Sequence, residues 1–202
     1  MNMEKLAQTD YPIAEILKRR WSPRAFSDQM VEPDRLLSLF EAARWAPSSF
    51  NEQPWYFVLA TKQKPEEHAR LLDCLSEKNQ QWARGAPVLM VSVAKLNFDH
   101  TGKANRHAFH DVGLAVGNMI VQATTLGLFA HQMAGFSPEK VAAVYNIPEK
   151  FEPVAAIALG YGLDVEDLPE GFRESELGRR SRRSIESFVF QGQWGQSSPL
   201  LL

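Results

Sequence analysis

Lys18-Arg19-Arg20-Trp21-Ser22-Pro23-Arg24-Ala25-Phe26 sets three guanidiniums and a hydroxyl within six positions. Pro23 interrupts any helix there. Planar Arg forks match a phosphate in two-point geometry. No carboxylate is offered nearby in sequence, since Glu15 precedes the cluster and Asp28 follows it. Near the other end of the chain stands a second cluster, Arg179, Arg180, Arg182 and Arg183. Alone, either cluster reads as a solvated surface. Together they predict that the two ends of the chain meet around one phosphate, and that the rest of the chain holds what the phosphate belongs to.

Working outward, the helical spacing of Ile13, Ile16 and Leu17 predicts a helix over 11–20, with Asp10 as N-cap and Pro12 in its first turn. A second helix is predicted over 32–46, with Leu36, Leu37, Leu39, Phe40 and Ala43 as its apolar positions. Pro47-Ser48-Ser49-Phe50-Asn51-Glu52-Gln53-Pro54-Trp55 follows, a loop of hydroxyls and amides between prolines. Two readings of it stand on spacing alone: a reader of a polar heterocycle, or an ordinary turn. Strands are predicted over 56–60, 87–94, 129–133 and 154–159. Helices are predicted over 65–80, over 111–128 with Gly127 closing it, and over 137–144 with Ser137 as N-cap. The stretches 96–105 and 163–178 read as loops. Cys74, among Leu71, Leu72 and Leu75, reads as a small core hydrophobe. His107 and His110 are three apart but lack the Glu and the third ligand of a zinc helix, so no metal site is expected; they read as pocket-lining or capping residues.

The chain has 202 residues, 45% apolar, and Lys plus Arg of 22 stands against Asp plus Glu of 24. One domain with a filled core follows. A balanced charge argues against a nucleic-acid binder. A single cysteine, a polar start and no long apolar run lead to the expectation of a cytoplasmic protein with no disulfide and no membrane span. Phe188, Phe190 and Trp194 in the tail, about 184–202, are expected to wrap over something, such as another subunit.

Counting elements gives an α+β fold with helices packed on a central sheet. There is no Gly-x-Gly-x-x-Gly fingerprint, P-loop, Gly-x-Ser-x-Gly elbow or Cys/His dyad. The arginine clusters, the serine loop, Asn79 and the Ala134-Gly135 turn are what remains for chemistry. That is the pattern of a large phosphorylated cofactor which carries the reaction itself.

Arg20-Trp21-Ser22-Pro23-Arg24-Ala25-Phe26 and Pro47-Ser48-Ser49-Phe50-Asn51-Glu52-Gln53-Pro54-Trp55 resemble the two opening signatures of the nitroreductase-like FMN-dependent oxidoreductases. Gly117-Asn118, Ala134-Gly135-Phe136, Gly160-Tyr161 and Arg180-Ser181-Arg182 follow in that family's order. The resemblance implies a mostly antiparallel central sheet in a domain-exchanged homodimer, with two FMN sites at the interface. It implies that Arg20, Trp21, Ser22 and Arg24 hold the phosphate and ribityl chain, with Arg180 and Arg182 closing on the phosphate. Pro47, Ser48, Ser49 and Asn51 would come from the other subunit, and Asn79 would bond the pyrimidine side of the ring. Ala134 and Gly135 would present backbone N–H groups, Ala134 standing where the family usually has an acidic residue. Trp82 stands where some members carry a basic residue, and 96–105 is too short for the family's substrate-covering helices. NADH or NADPH is implied as electron donor, and a nitroaromatic, quinone or similar small acceptor as its counterpart, in a ping-pong sequence. No side chain is expected to be catalytic; water or a pocket histidine such as His107 could supply protons. The rival readings are a redox-silent flavin or nucleotide binder and an anion- or RNA-binding module.

Overall fold

The computed structural model describes residues 5–168 and 170–201; the first four residues, Pro169 and the final Leu202 lie outside that description. Four strands form one antiparallel sheet in the order β1-β2-β4-β3, with β1 Trp55–Thr61, β2 Val88–Lys95, β3 Phe129–Met133 and β4 Phe151–Gly160. Side chains of β2 alternate between two cores, as a strand covered on both faces requires. Val88 and Met90 pack with Leu39 of α2 (Pro33–Arg44) and Met119 of α5 (Ala108–Thr125). Leu89 and Val91 pack on the other face with Leu71 of α3 (Pro65–Leu72) and Val141 of α6 (Pro138–Val144). Each such large side chain stabilises the fold by about 1.5–3 kcal/mol through burial. Pro153, which cannot donate to the ladder, coincides with the register shift between Ser92 and Val93.

The α+β architecture and all four strands lie where the sequence places them. Three helices differ. The expected helix over 11–20 shrinks to α1, Glu15–Arg19, which starts from an extended Ala14 rather than an Asp10 cap. Its residues touch α5 but enter neither core cluster, and Ile13 just before it remains 41% exposed; a helix of one turn with so little burial is marginal. The predicted helix over 65–80 is two: α3, then α4, Glu77–Ala83. Between them the backbone is recruited by the 135–137 turn. Ser76 N–H donates to the Gly135 carbonyl and Ser137 N–H to the Cys74 carbonyl, each at 2.9 Å. The segment 163–178 is not a loop throughout, since Glu170–Leu177 forms α7. In addition α5 begins three residues earlier than expected, where buried Asn105 accepts the His107 N–H through Oδ1 at 3.0 Å. Leu37, expected to be inward, is 66% exposed on α2.

Cys74 is buried, and burial pushes its thiol upward, as suits a core residue. Ser137 caps α6, accepting the Lys140 N–H at 3.1 Å. Among the described residues no helix is long and apolar enough to cross a membrane.

Candidate functional site

The loop after α1 and the segment after α7 meet. Arg20, Ser22, Arg24, Arg180 and Arg182 line one pocket of about 220 Å³, with Lys5, Trp21 and Glu176 completing its wall. The loop reaches this place because Trp21, Ala25 and Phe26 are buried and anchor it, Phe26 bridging to Gly162. Glu176 anchors it again by accepting the Arg24 N–H at 3.0 Å. Trp21 therefore serves as wall and anchor: its ring meets Phe129 edge-on at 5.7 Å, and Lys5 lies over it at 4.9 Å.

The pocket is electrostatically incomplete. Burial, then the neighbouring Arg180 and Arg182 charges, hold the Arg20 guanidinium below its usual basicity. Burial and Arg182 do the same to Arg180. Guanidiniums pressed together against one carboxyl among the described residues, Glu176, form a site suited to an anion. The arginines are not equivalent. Arg180 spends its donors on backbone: Nη1 on the Lys5 and Lys18 carbonyls at 2.6 and 2.9 Å, Nη2 on the Arg20 carbonyl at 2.8 Å. It thus ties the arginine loop in place and lends charge. Arg20 donates to Ser22 Oγ at 3.1 Å, and Arg182 Nη1 only to its neighbour's carbonyl at 2.7 Å, so both keep donors for a ligand.

A larger cavity of about 560 Å³ adjoins, between the end of β3 and the start of α4, and Arg24 lines both. Asn79, Ala134 and Gly135 lie in its wall. Asn79 is fixed at both ends: Nδ2 donates to the Gly135 carbonyl at 2.9 Å and Oδ1 accepts the Trp82 indole N–H at 3.2 Å. Gly135 is required here, because a Cβ would stand 2.6 Å from Asn79 Nδ2 and 2.8 Å from Ser76 Oγ. Among the described residues the Ala134 and Gly135 N–H groups donate to no backbone carbonyl. Among the described residues no Asp or Glu lines this cavity.

Pro47, Ser48, Ser49 and Asn51 are not brought to this place. They precede β1, the sheet edge opposite β3. There the Ser49 N–H donates to buried Asp111 Oδ2 at 2.9 Å, and Ser48 Oγ accepts the Gln53 N–H at 3.0 Å. Phe50, Asn51 and Gln53 all hold positive φ (55°, 54° and 51°), and Phe50 is 82% exposed. Three left-handed residues in four positions are a strained, fully specified shape rather than a pliant turn.

Neither His107 nor His110 lines the cavity. His107 is the residue before α5 and its side chain makes no cap bond; His110 Nδ1 pairs with Asp111 Oδ1 at 2.9 Å. The histidine of the cavity is His131 on β3, packed against Trp82 at 4.6 Å with Nδ1 toward the Pro23 carbonyl at 2.8 Å. Burial holds it below the usual histidine value, so it sits as the neutral ring. Sequence reading missed it, and missed Glu176 and Lys5. The signal for His131 is the alternation of Phe129, His131 and Met133 on one side of β3. Among the described residues no group of three metal-ligating side chains occurs.

The pocket and cavity fit a ligand with a phosphate at one end and a polar ring at the other, Arg24 lying between. The two compartments would take the phosphate and the flavin ring of FMN, and the acid-free cavity with paired Ala134 and Gly135 N–H donors suits an electron-rich carbonyl edge.

The model of the nitroreductase family matches residues 17–161. A crystal structure described as an oxidoreductase containing FMN superposes with a TM-score of 0.89 at 32% identity, covering 98% of this chain and 100% of that one. A 15.4 kDa protein of Mycolicibacterium smegmatis is 32% identical over 121 residues, 60% of this chain and 80% of its own. A protein of Stenotrophomonas maltophilia (strain K279a), provisionally named NADH dehydrogenase/NAD(P)H nitroreductase, is 28% identical over 166 residues, 73% of this chain and 84% of its own. With more than half its length matched by the family model, the chain belongs to the nitroreductase family of oxidoreductases.

Proposed function

We propose that the protein is an NAD(P)H-dependent FMN oxidoreductase that passes reducing equivalents to a small acceptor such as a nitroaromatic or quinone, in a ping-pong sequence and as a domain-exchanged homodimer. The observation that carries this is Arg24, which lines both the carboxylate-poor guanidinium pocket and the ring-sized cavity.

FMN supplies the hydride chemistry when bound. The residues of the chain bind and orient. Arg20, Ser22 and Arg182 hold the phosphate, Arg24 spans phosphate and ring, and Arg180 fixes the loop from behind. Asn79 and the Ala134 and Gly135 N–H groups hold the polar edge of the ring, and Trp82 and His131 form a dry wall beside it. Pro47, Ser48, Ser49 and Asn51 come from the partner subunit. Preorganised N–H and guanidinium donors favour negative charge developing in the cavity. No side chain need act as general acid.

Dimerisation is supported by apolar surface that one copy leaves in water. Leu37, Trp45 and Phe50 are exposed by 66%, 73% and 82%, and in the tail Trp194 and Leu200 by 93% and 88%. Apolar surface of this kind is what a second copy would cover. We place the whole chain in one FMN-binding domain, with the tail from about 184 lying over the partner, and a free Cys74 suits the reducing cytoplasm.

Purified protein tests this directly. It should be yellow, release FMN on denaturation, and bleach with NADH or NADPH under nitrogen. Protein that neither carries nor takes up flavin overturns the reading. Protein that holds FMN but oxidises no pyridine nucleotide with any acceptor reduces it to a redox-silent binder.

A further inference from the structure

Five cationic side chains face the guanidinium pocket: Lys5 from the N-terminal segment, Arg20 and Arg24 from the loop, and Arg180 and Arg182 from the segment after α7. Among the described residues one carboxyl joins them, Glu176 of α7, which is 2% exposed. Its Oε1 accepts the Arg24 N–H at 3.0 Å, and its backbone carbonyl accepts from Lys5 Nζ at 2.7 Å. Its Oε2 is buried with no hydrogen-bond partner. The other acidic residues of α7, Glu170 and Glu174, do not line the pocket, nor does Arg173. The small void on the far side of Glu176, walled by Trp21, Phe129 and Leu168, contains no other charged side chain.

A buried carboxylate ordinarily uses both oxygens. Here one is spare, so a proton can be added at Oε2 while the Arg24 bond stays intact at Oε1. Before an anion binds, the carboxylate is the counter-charge of the guanidiniums. A bound phosphate takes over that role and sets a like charge close to Glu176, which favours its neutral form. Burial already pushes this carboxyl upward, against the Arg24 N–H and the Lys5 and Arg24 charges.

We propose that the pocket takes up one proton from solvent together with its phosphate ligand, and that the proton is seated on Glu176 Oε2. Glu176 is thus a positioning residue: ionised it holds the pocket together, and neutral it admits a phosphate monoester. This rests on the reading that the pocket holds the phosphate of FMN.

The full-length apoprotein is titrated with FMN by calorimetry at pH 7 in buffers of different ionisation heat, which gives protons bound per ligand. Wild type should take up about one proton more than Glu176→Gln, because only the native carboxyl can gain one. Riboflavin, lacking the phosphate, should abolish that difference. Equal uptake by the two proteins with FMN overturns the proposal. If Glu176→Gln does not fold, wild type carrying 13C-labelled glutamate is compared by infrared difference spectroscopy with and without FMN. A new protonated carboxyl band supports the proposal and its absence overturns it. Failure of FMN to bind would instead overturn the cofactor reading; titration with inorganic phosphate then decides, by the same proton count, whether the pocket is proton-linked.

Discussion

Replacing Arg20 and Arg182 together by alanine removes the two guanidiniums that keep donors for a phosphate. Arg20 spends one contact on Ser22 Oγ at 3.1 Å and Arg182 one on the Ser181 carbonyl. Hydrogen bonds to a charged partner are worth about 1.5–3 kcal/mol each. Losing one from each side chain costs about 3–6 kcal/mol, or roughly two to four decades in the Kd for FMN. The apoprotein should not suffer in proportion. Burial and the adjacent Arg180 and Arg182 disfavour charged Arg20 in the native state, so its removal relieves a repulsion. That relief offsets the lost Ser22 contact, about 0.5–1.5 kcal/mol. Fluorescence titration of the apoprotein with FMN and riboflavin, beside urea denaturation, separates these effects. FMN affinity should fall by the stated decades, riboflavin affinity should move little, and the unfolding free energy from urea denaturation should stay within about 1 kcal/mol of wild type. An FMN affinity within threefold of wild type, or an equal loss for riboflavin, refutes the assignment of the pocket to phosphate.

Gly135→Ala forces a methyl into Asn79 and Ser76, at 2.6 and 2.8 Å. It should cost about 1–3 kcal/mol in urea denaturation and weaken flavin binding through displaced Asn79. Gly113→Ala with Gly117→Ala puts methyl groups on the outer side of α5, where nothing lies within 4 Å. Each should add about 0.5–1 kcal/mol to subunit stability, while sedimentation should show a weaker dimer if that side is packed against a second copy. His68 and His131 are both held below the usual 6.5 by burial, each opposed by a bond to a backbone carbonyl. The unfolded chain therefore gains protons that the native state refuses, so stability is intact above about 6.5 and falls as pH drops below it. Urea midpoints at pH 7.5 and 5.5 check this, with His68→Gln flattening the slope.

The strands were legible because their signal is local. The apolar run of β2 needs a cover on both faces, whatever covers it. The arginine clusters were legible as a pair because two groups of guanidiniums at the two ends of one chain suit a single anion. What sequence hid depends on contacts between distant segments. The break between α3 and α4 exists because carbonyls and N–H groups at 135–137 take the bonds that a continuous helix would have used. Glu176 sits in an acidic stretch that looks solvated, and only its packing behind Arg24 makes it buried. Arg180 has the right residue type for a phosphate, yet three of its donor bonds go to backbone. Residue type announced the charge of the site and not the division of labour within it.

A single copy carries both parts of the proposed site, but on opposite edges. The pocket and cavity lie toward β3, while the loop with Ser48, Ser49 and Asn51 precedes β1, and β2 and β4 lie between. Three inter-strand gaps of about 4.8 Å put these edges roughly 14 Å apart across the sheet. The strained loop conformation costs of order 1–3 kcal/mol per left-handed residue, and within its own subunit the loop lines neither the pocket nor the cavity. In the proposed domain-exchanged dimer it meets the partner's cavity, and that arrangement makes a sharp prediction by complementation. Arg20→Ala with Arg182→Ala destroys a subunit's pocket; Asn51→Val, a branched side chain at φ 54°, destroys its loop. Each homodimer should be without flavin. A heterodimer of the two has one site in which both defects meet and one in which native pocket meets native loop. Random exchange makes roughly half the dimers mixed, so flavin content should recover to about a quarter of wild type. Were pocket and loop of the same chain to form the site, mixing would restore nothing, because every subunit would still carry one broken half.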